Sequence, residues 1–245
     1  MSPTRLFSPV RLQAHSRQTL DSGQARYLAR VLRLRLGDSL ILFDGTGGEF
    51  SAEIVLVEKN RVDVETGSLA ECSTESELSI QLVQGISKGD RMDTVIQKAT
   101  ELGVQKVSPV LSDYSVVKLD QNKAAKRRDH WQKIAQSACE QCGRNVVPHI
   151  DSVISLNAWH DQNDNDSTTR LMLAPDATTT LASVSNPKKE ATLLIGPEGG
   201  FSNAEEERAA STGIQLVSLG PRILRTETAA IAAISVVQTL WGDFG

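Results

Sequence analysis

The spacing of apolar residues changes once along the chain. Up to about residue 70 the apolar positions alternate. Leu40-Ile41-Leu42-Phe43 runs into Asp44-Gly45-Thr46-Gly47-Gly48, a turn signal. Phe50, Ala52, Ile54 and Leu56 then alternate with Ser51, Glu53 and Val55. Lys59-Asn60 makes another turn, and Val62 and Val64 resume the alternation. A period of two with turns between predicts a β-meander with one buried face. A short helix is expected over 24–33, because Asp21 and Gln24 stand at capping-box spacing. Residues 66–78 are small, polar and acidic and read as a linker.

Beyond that stretch strands and helices alternate. Strands are expected over 80–86, 106–111, 171–174, 192–195 and 214–219. Met92, Val95, Ile96, Ala99 and Leu102 form one helical face, ended by Gly103. Further helices are expected around Trp131, over 155–160 and over 203–210, with a polar loop over 161–169. The pattern predicts a mostly parallel sheet covered by helices. The chain thus divides into a β domain over 1–70, a linker over 71–78 and an α/β domain over 79–245. The final helix, 226–241, is apolar nearly all round, so it is buried on more than one side. A second subunit is one way to cover it, which makes a homodimer an expectation; burial within the monomer is the alternative.

Composition adds limits. A length of 245 residues suits one large or two modest domains, and 40% hydrophobic with 23% charged residues is ordinary for a globular protein. No stretch reaches the roughly 18 apolar residues that span a bilayer, and Met1–Phe7 lacks a signal-peptide core. No membrane partner and a cytoplasmic address are therefore expected. The net charge of -4 does not advertise nucleic-acid binding, but its distribution does. Arg5, Arg11, Arg17, Arg26, Arg30, Arg33 and Arg35 stand against Asp21 alone over 1–36. Lys118, Lys123, Lys126, Arg127, Arg128 and Lys133 stand against Asp120 and Asp129 over 118–133. Two basic patches in an acidic chain point to an anionic partner, set against the plainer reading of solvated helix faces.

Cys139 and Cys142 have CxxC spacing, but a zinc site needs a second pair. Both fall on the apolar stripe of the Trp131 helix, so they read as core residues rather than a redox pair.

The chemistry concentrates in two loops. Leu193-Leu194-Ile195 ends in Gly196-Pro197-Glu198-Gly199-Gly200-Phe201-Ser202, and Ser202 with Glu205 makes a capping box. Leu216-Val217-Ser218-Leu219 ends in Gly220-Pro221-Arg222, then Ile223-Leu224-Arg225-Thr226-Glu227-Thr228-Ala229 opens the last helix. Ligands in open α/β sheets bind beyond the carboxyl ends of strands. The first loop has neither the Walker A nor the Rossmann spacing, and alone it is weakly specific. The second loop, with two arginines, an acid and two hydroxyls, exceeds what a turn needs.

These two motifs resemble the signatures of the RsmE family, SPOUT-class methyltransferases of small-subunit ribosomal RNA. Residues 97–104 and 140–145 fit the same family, as do Arg30–Arg33, Gly37-Asp38 and Phe43–Gly45. The likeness runs in order through nearly the whole chain. It implies an α/β domain with a deep trefoil knot and an N-terminal PUA-like RNA-binding barrel. It implies S-adenosyl-L-methionine as cofactor, a homodimer, and methylation of a uridine at N3 in 16S rRNA near the decoding region, on free small-subunit ribosomal RNA or the assembled subunit. The cofactor would be held by Leu173, Ile195, Gly196, Pro197, Glu198, Gly199 and Gly200 and by Leu219, Gly220, Arg222, Ile223, Leu224, Arg225, Thr226, Thr228 and Ala229. The turn Leu173-Ala174-Pro175 belongs with them. RNA would meet Arg5, Arg11, Arg26, Arg30, Arg33, Lys126, Arg127 and Arg128.

A uridine imide nitrogen is a poor nucleophile until its proton leaves. An arginine near the uracil oxygens would favour the anion by charge-assisted hydrogen bonds. Arg144 is the first candidate and Arg225 the second; Glu227 or Glu198 would orient an arginine or take the proton. No metal is required. The rival class is a protein that docks on rRNA without chemistry, and a thiol-redox role ranks third.

Overall fold

The computed structural model describes residues 3–59, 61–71, 74–117, 119–163, 168–185 and 189–245. Asn60, Cys72, Lys118 and residues 164–167 of the polar loop expected over 161–169 lie outside the described residues. The chain divides into two units: Met1–Glu75 with Cys139–Val147, and Ser76–Ala138 with Pro148–Gly245.

The first unit carries β1 (Thr4–Phe7), β2 (Arg17–Thr19), α1 (Ser22–Arg26), β3 (Ser39–Phe43), β4 (Glu49–Glu58) and β5 (Arg61–Ala70). They form one sheet in the order β1-β3-β4-β5-β2, parallel only at β1–β3. Alternation buries Phe50, Ala52 and Ile54 with Leu40, Leu42, Val62 and Val64. A register shift between Ile54 and Leu56 breaks the period, and Leu56 is only half-buried.

Two expectations need correction here. The helix expected over 24–33 is α1, with the Asp21–Gln24 capping box in place, followed by a π-helical turn, Tyr27–Leu32. Arg33 then takes a left-handed conformation with φ of 57° and its N–H reaches the Leu28 carbonyl. The wider turn keeps Leu28 in the core while Arg26, Arg30 and Arg33 stay exposed. Nor is the polar stretch from residue 66 a free linker: β5 continues to Ala70. Thr66 is buried, where its hydroxyl accepts the Ser16 N–H at 3.0 Å. Small polar residues can read as linker and still pair as strand when their hydroxyls find backbone partners.

The second unit alternates strand and helix. It contains β6 (Ser79–Gly85), α2 (Arg91–Glu101), β7 (Lys106–Leu111), α3 (Gln121–Cys142), β8 (His149–Ile150), β9 (Ile154–Ser155), α4 (Leu156–Gln162) and β10 (Thr169–Leu173). There follow β11 (Glu190–Ile195), α5 (Asn203–Ser211), β12 (Gln215–Val217) and α6 (Thr226–Trp241). The last turn of α3 belongs to the first unit. All pairings in this sheet are parallel, in the order β12-β10-β11-β6-β7-β8, with β9 also on β7. Central strands are buried on both faces, as Ala191–Ile195 show, which is why they read as continuous apolar runs. α6 buries Ala230, Ala233, Ile234 and Val237 in one stripe, while Ile231, Ala232 and Val236 are half-buried. Among the described residues no helix is long and apolar enough to cross a membrane.

Candidate active site

Strand order decides where the site lies. β12, β10 and β11 are neighbours and parallel, so the loops after Val217, Leu173 and Ile195 leave the same end of the sheet. Between them opens a cavity of about 660 Å³, within the usual range for a small organic ligand.

The first wall is the loop after β11. Gly200 donates its N–H to the Pro197 carbonyl at 3.0 Å and takes a φ of 72°. The chain doubles back so tightly that a Cβ on Gly196 would lie 2.9 Å from Gly200. The turn then feeds α5, whose N-cap Ser202 and Glu205 form the expected capping box, an arrangement that stabilises a helix start by about 1 kcal/mol. The second wall runs from Val217 to Thr226, and Gly220 turns it with φ of 87°. The third is the turn after β10, Leu173 to Asp176. Leu173, Ile195, Val217 and Leu219 contribute apolar side chains to the lining.

The lining also carries charge: Glu198, Glu206, Asp176 and Glu227 stand in it together with Arg91, Arg222 and Arg225. Arg91, from the start of α2, pairs with Glu198 through Nη1, and its Nε lies 3.9 Å from Glu227 Oε2. Glu198 also accepts the Lys88 N–H at 2.9 Å. Burial raises the Glu198 carboxyl, but its own and the Lys88 N–H, with the Arg91 guanidinium, outweigh it and hold the group below the ordinary range. Glu227 Oε2 is buried and has no hydrogen-bond partner. Among the described residues Arg222 and Arg225 make no ion pair.

The structure brings together every cofactor residue expected from the sequence but one. Thr228 does not line the cavity and is exposed, because two residues beyond Thr226 is nearly opposite on a helix. Arg91, Asp176, Phe201, Asn203 and Glu206 line it without having been singled out. Arg91 lies over a hundred residues from Glu198 in the chain, and nothing local marked it.

Residues 74–238 match the RNA methyltransferase domain family, and residues 20–66 match the RNA methyltransferase PUA domain. The chain is 36% identical over 242 residues to the ribosomal RNA small subunit methyltransferase E of Buchnera aphidicola (subsp. Schizaphis graminum), covering 98% of this chain and 97% of that protein. It is 35% identical to the Bacillus subtilis protein of that name, over 88% of this chain and 87% of the relative. This chain belongs to the ribosomal RNA small subunit methyltransferase E family. Two solved structures agree over 100% of both chains at 39% identity. One is a methyltransferase of Legionella pneumophila with its cofactor SAM bound, at a TM-score of 0.93. The other is a ribosomal RNA small subunit methyltransferase E of Neisseria gonorrhoeae bound to S-adenosyl methionine, at 0.91.

Within this methyltransferase, Arg144 does not line the cavity. It is 3% exposed in the first unit, and its guanidinium is held by Glu75 at 2.5 and 2.9 Å. Arg144, expected to touch the uracil, is thus placed in a buried ion pair away from the cavity, where removing either partner would leave an uncompensated charge. Arg5, expected to meet RNA, is likewise engaged within the first unit. Its guanidinium is engaged by Glu49, by Asn145 Oδ1 at 2.6 Å and over the Phe43 ring at 5.0 Å. Arg11, Arg26, Arg30, Arg33 and Lys126 are exposed; Arg127 is half-buried and Arg128 pairs with Asp129 at 2.7 Å. Cys139 is buried, and burial pushes its thiol up to about 12, which removes the thiolate that redox chemistry needs.

Proposed function

We propose that this protein transfers a methyl group from S-adenosylmethionine to N3 of a uridine in small-subunit ribosomal RNA. Membership of the family carries the reaction class, and the substrate follows from the relatives' names. The observation that carries the site is the convergence of three parallel strand ends on one cavity, lined by a carboxylate whose buried oxygen accepts no hydrogen bond.

The cavity fits the cofactor. Its apolar lining residues suit a flat adenine, the close turn at Gly196 leaves room for no side chain, and Glu198, Glu206 and Asp176 suit a cation. When bound, S-adenosylmethionine supplies a methyl group on a positively charged sulfur. Ile195–Gly200, Leu219–Thr226, Ala229 and Leu173 would hold it. Arg225, at the N-cap of α6 and free of any acid, would donate to the uracil oxygens and stabilise the imide anion. Glu227 Oε2 would accept the N3 proton, and Arg91 Nε stands 3.9 Å from that oxygen. Arg11, Arg26, Arg30, Arg33, Lys126, Arg127 and Arg128 would contact RNA phosphates. The target base would be flipped out to reach the cavity.

The trefoil knot belongs with this reading. β11 lies between β10 and β6, and the loop before α6 is tied back to the β11 loop through Thr226 and Gly196. So does a homodimer: α6 leaves Ile231, Ala232 and Val236 half-buried and Leu240 43% exposed, an apolar side that a second copy would cover. A cytoplasmic place beside the ribosome follows from the substrate. The deciding experiment adds methyl-labelled cofactor to small subunits that lack the modification. Label at uridine N3 near the decoding region is expected; none there overturns the reading. Bare 16S rRNA in parallel tells which form is the substrate.

A further inference from the structure

Strand β6 ends in a buried amide, immediately behind the cofactor loops. Gln84 has no exposed surface. Its Nε2 donates to Thr226 Oγ1 at 3.0 Å and to the Gly85 carbonyl at 3.1 Å, and the Ile195 carbonyl lies 3.5 Å away. Thr226 Oγ1 in turn donates to the Gly196 carbonyl at 2.7 Å. The run of donors goes one way: amide to hydroxyl to carbonyl. Three oxygens around one nitrogen fix which way the amide faces. The other end, Oε1, is buried with no partner.

An unpaired buried acceptor is destabilising, and an apolar residue of the same length would avoid it. The amide is therefore poor as a core filler and good as a donor. Gly85 adds to this. A Cβ there would stand 2.5 Å from Pro197 Cδ, so the first loop rests directly on the end of β6. Gly196 and Thr226 both line the cavity, whereas Gln84 does not.

We propose that Gln84 is a positioning residue that holds the two cofactor loops at their working separation through Thr226. The inference rests on the cofactor reading above. Without the donor, the Thr226 hydroxyl is free to turn away from Gly196. The two loops then fluctuate independently, and the cofactor bears the cost of ordering them.

The test is calorimetric titration of S-adenosylmethionine into the ligand-free protein, beside its unfolding midpoint. Gln84→Met is expected to weaken binding about tenfold, the effect of one hydrogen bond. Thr226→Val is expected to do the same, and the double variant to bind no worse than the weaker single one, because both cut one chain of bonds. Gln84→Glu adds a readout that bulk stability does not move. A carboxylate can only accept, so it draws the hydroxyl away from Gly196; once protonated it donates as the amide does. Its binding is expected to recover relative to wild type as pH falls. Unchanged binding in Gln84→Met, additive losses in the double variant, or a Gln84→Glu profile parallel to wild type overturns the proposal. If Gln84→Met does not fold, the Gln84→Glu profile decides alone. Wild-type protein that fails to bind the cofactor overturns the cofactor reading itself, and this inference with it.

Discussion

Arg144 Nη2 lies 2.5 Å from Glu75 Oε2, and Nε lies 2.9 Å from the same oxygen. The side chains are 3% and 15% exposed. Both belong to the first unit, although Arg144 reaches it from the end of α3. Removing one partner of a buried pair typically costs about 3 kcal/mol. Arg144→Ala is expected to lower the thermal midpoint while the folded fraction still binds cofactor. Calorimetry below the midpoint checks it; a normal midpoint with lost turnover would instead assign Arg144 to the chemistry.

A fragment ending at Glu75 is expected not to fold. Glu140 accepts the Phe7 N–H at 3.0 Å, and Asn145 holds Arg5. Without Cys139–Val147 those groups lose their partners and the first unit is incomplete. The fragment should show no cooperative melt by circular dichroism.

Glu227→Gln is expected to lower kcat by about 100-fold or more, the usual worth of a general base, while the cofactor dissociation constant stays near wild type. The amide keeps the size and removes the basicity. Equal losses in kcat and binding would instead assign Glu227 to the cofactor.

Glu198 sets an acid limit on the cavity. Its folded pKa lies below the ordinary 4.5, so its contribution to stability is fully present above that value and is lost as pH falls through the folded one. Cofactor affinity is expected to be level from neutral pH down to the ordinary range and to fall below it, as Arg91 loses its partner. Glu198→Gln should flatten that limb in a calorimetric pH series. A limb of the same shape in the variant would move the cause elsewhere.

Cys139 is expected to resist alkylation at neutral pH in the native protein, since burial pushes its thiol up to about 12. Mass spectrometry after iodoacetamide treatment reads this directly. A Cys139→Ala, Cys142→Ser protein should keep its methyl transfer.

Much of the second unit was legible because its strands are short apolar runs between amphipathic helices. β7 falls on the expected residues, and β6, β10 and β11 come within a few. β1 and β2 were not singled out, because Thr4–Phe7 and Arg17–Thr19 are too short to show a period. The site was legible where it is local. Ile195–Gly200 and Leu219–Thr226 carry glycines, capping residues and charges within a few positions of one another. Arg91, Asp176 and Gln84 were not, since nothing beside them in the chain reveals what they meet.

By itself the sequence determined which segments become strand and helix, where the loops turn and which loops hold chemistry. Periodicity, capping and glycine placement act over a few residues, so one chain read in order contains them. The tertiary structure alone decided that β10 lies between β11 and β12 and brings three loops to one cavity. It alone placed Arg91 between Glu198 and Glu227, withdrew Arg144 and Arg5 into ion pairs, and set Gln84 behind Thr226. Those outcomes depend on which distant groups are buried together, because only burial makes an unmatched charge or donor costly enough to choose its partner.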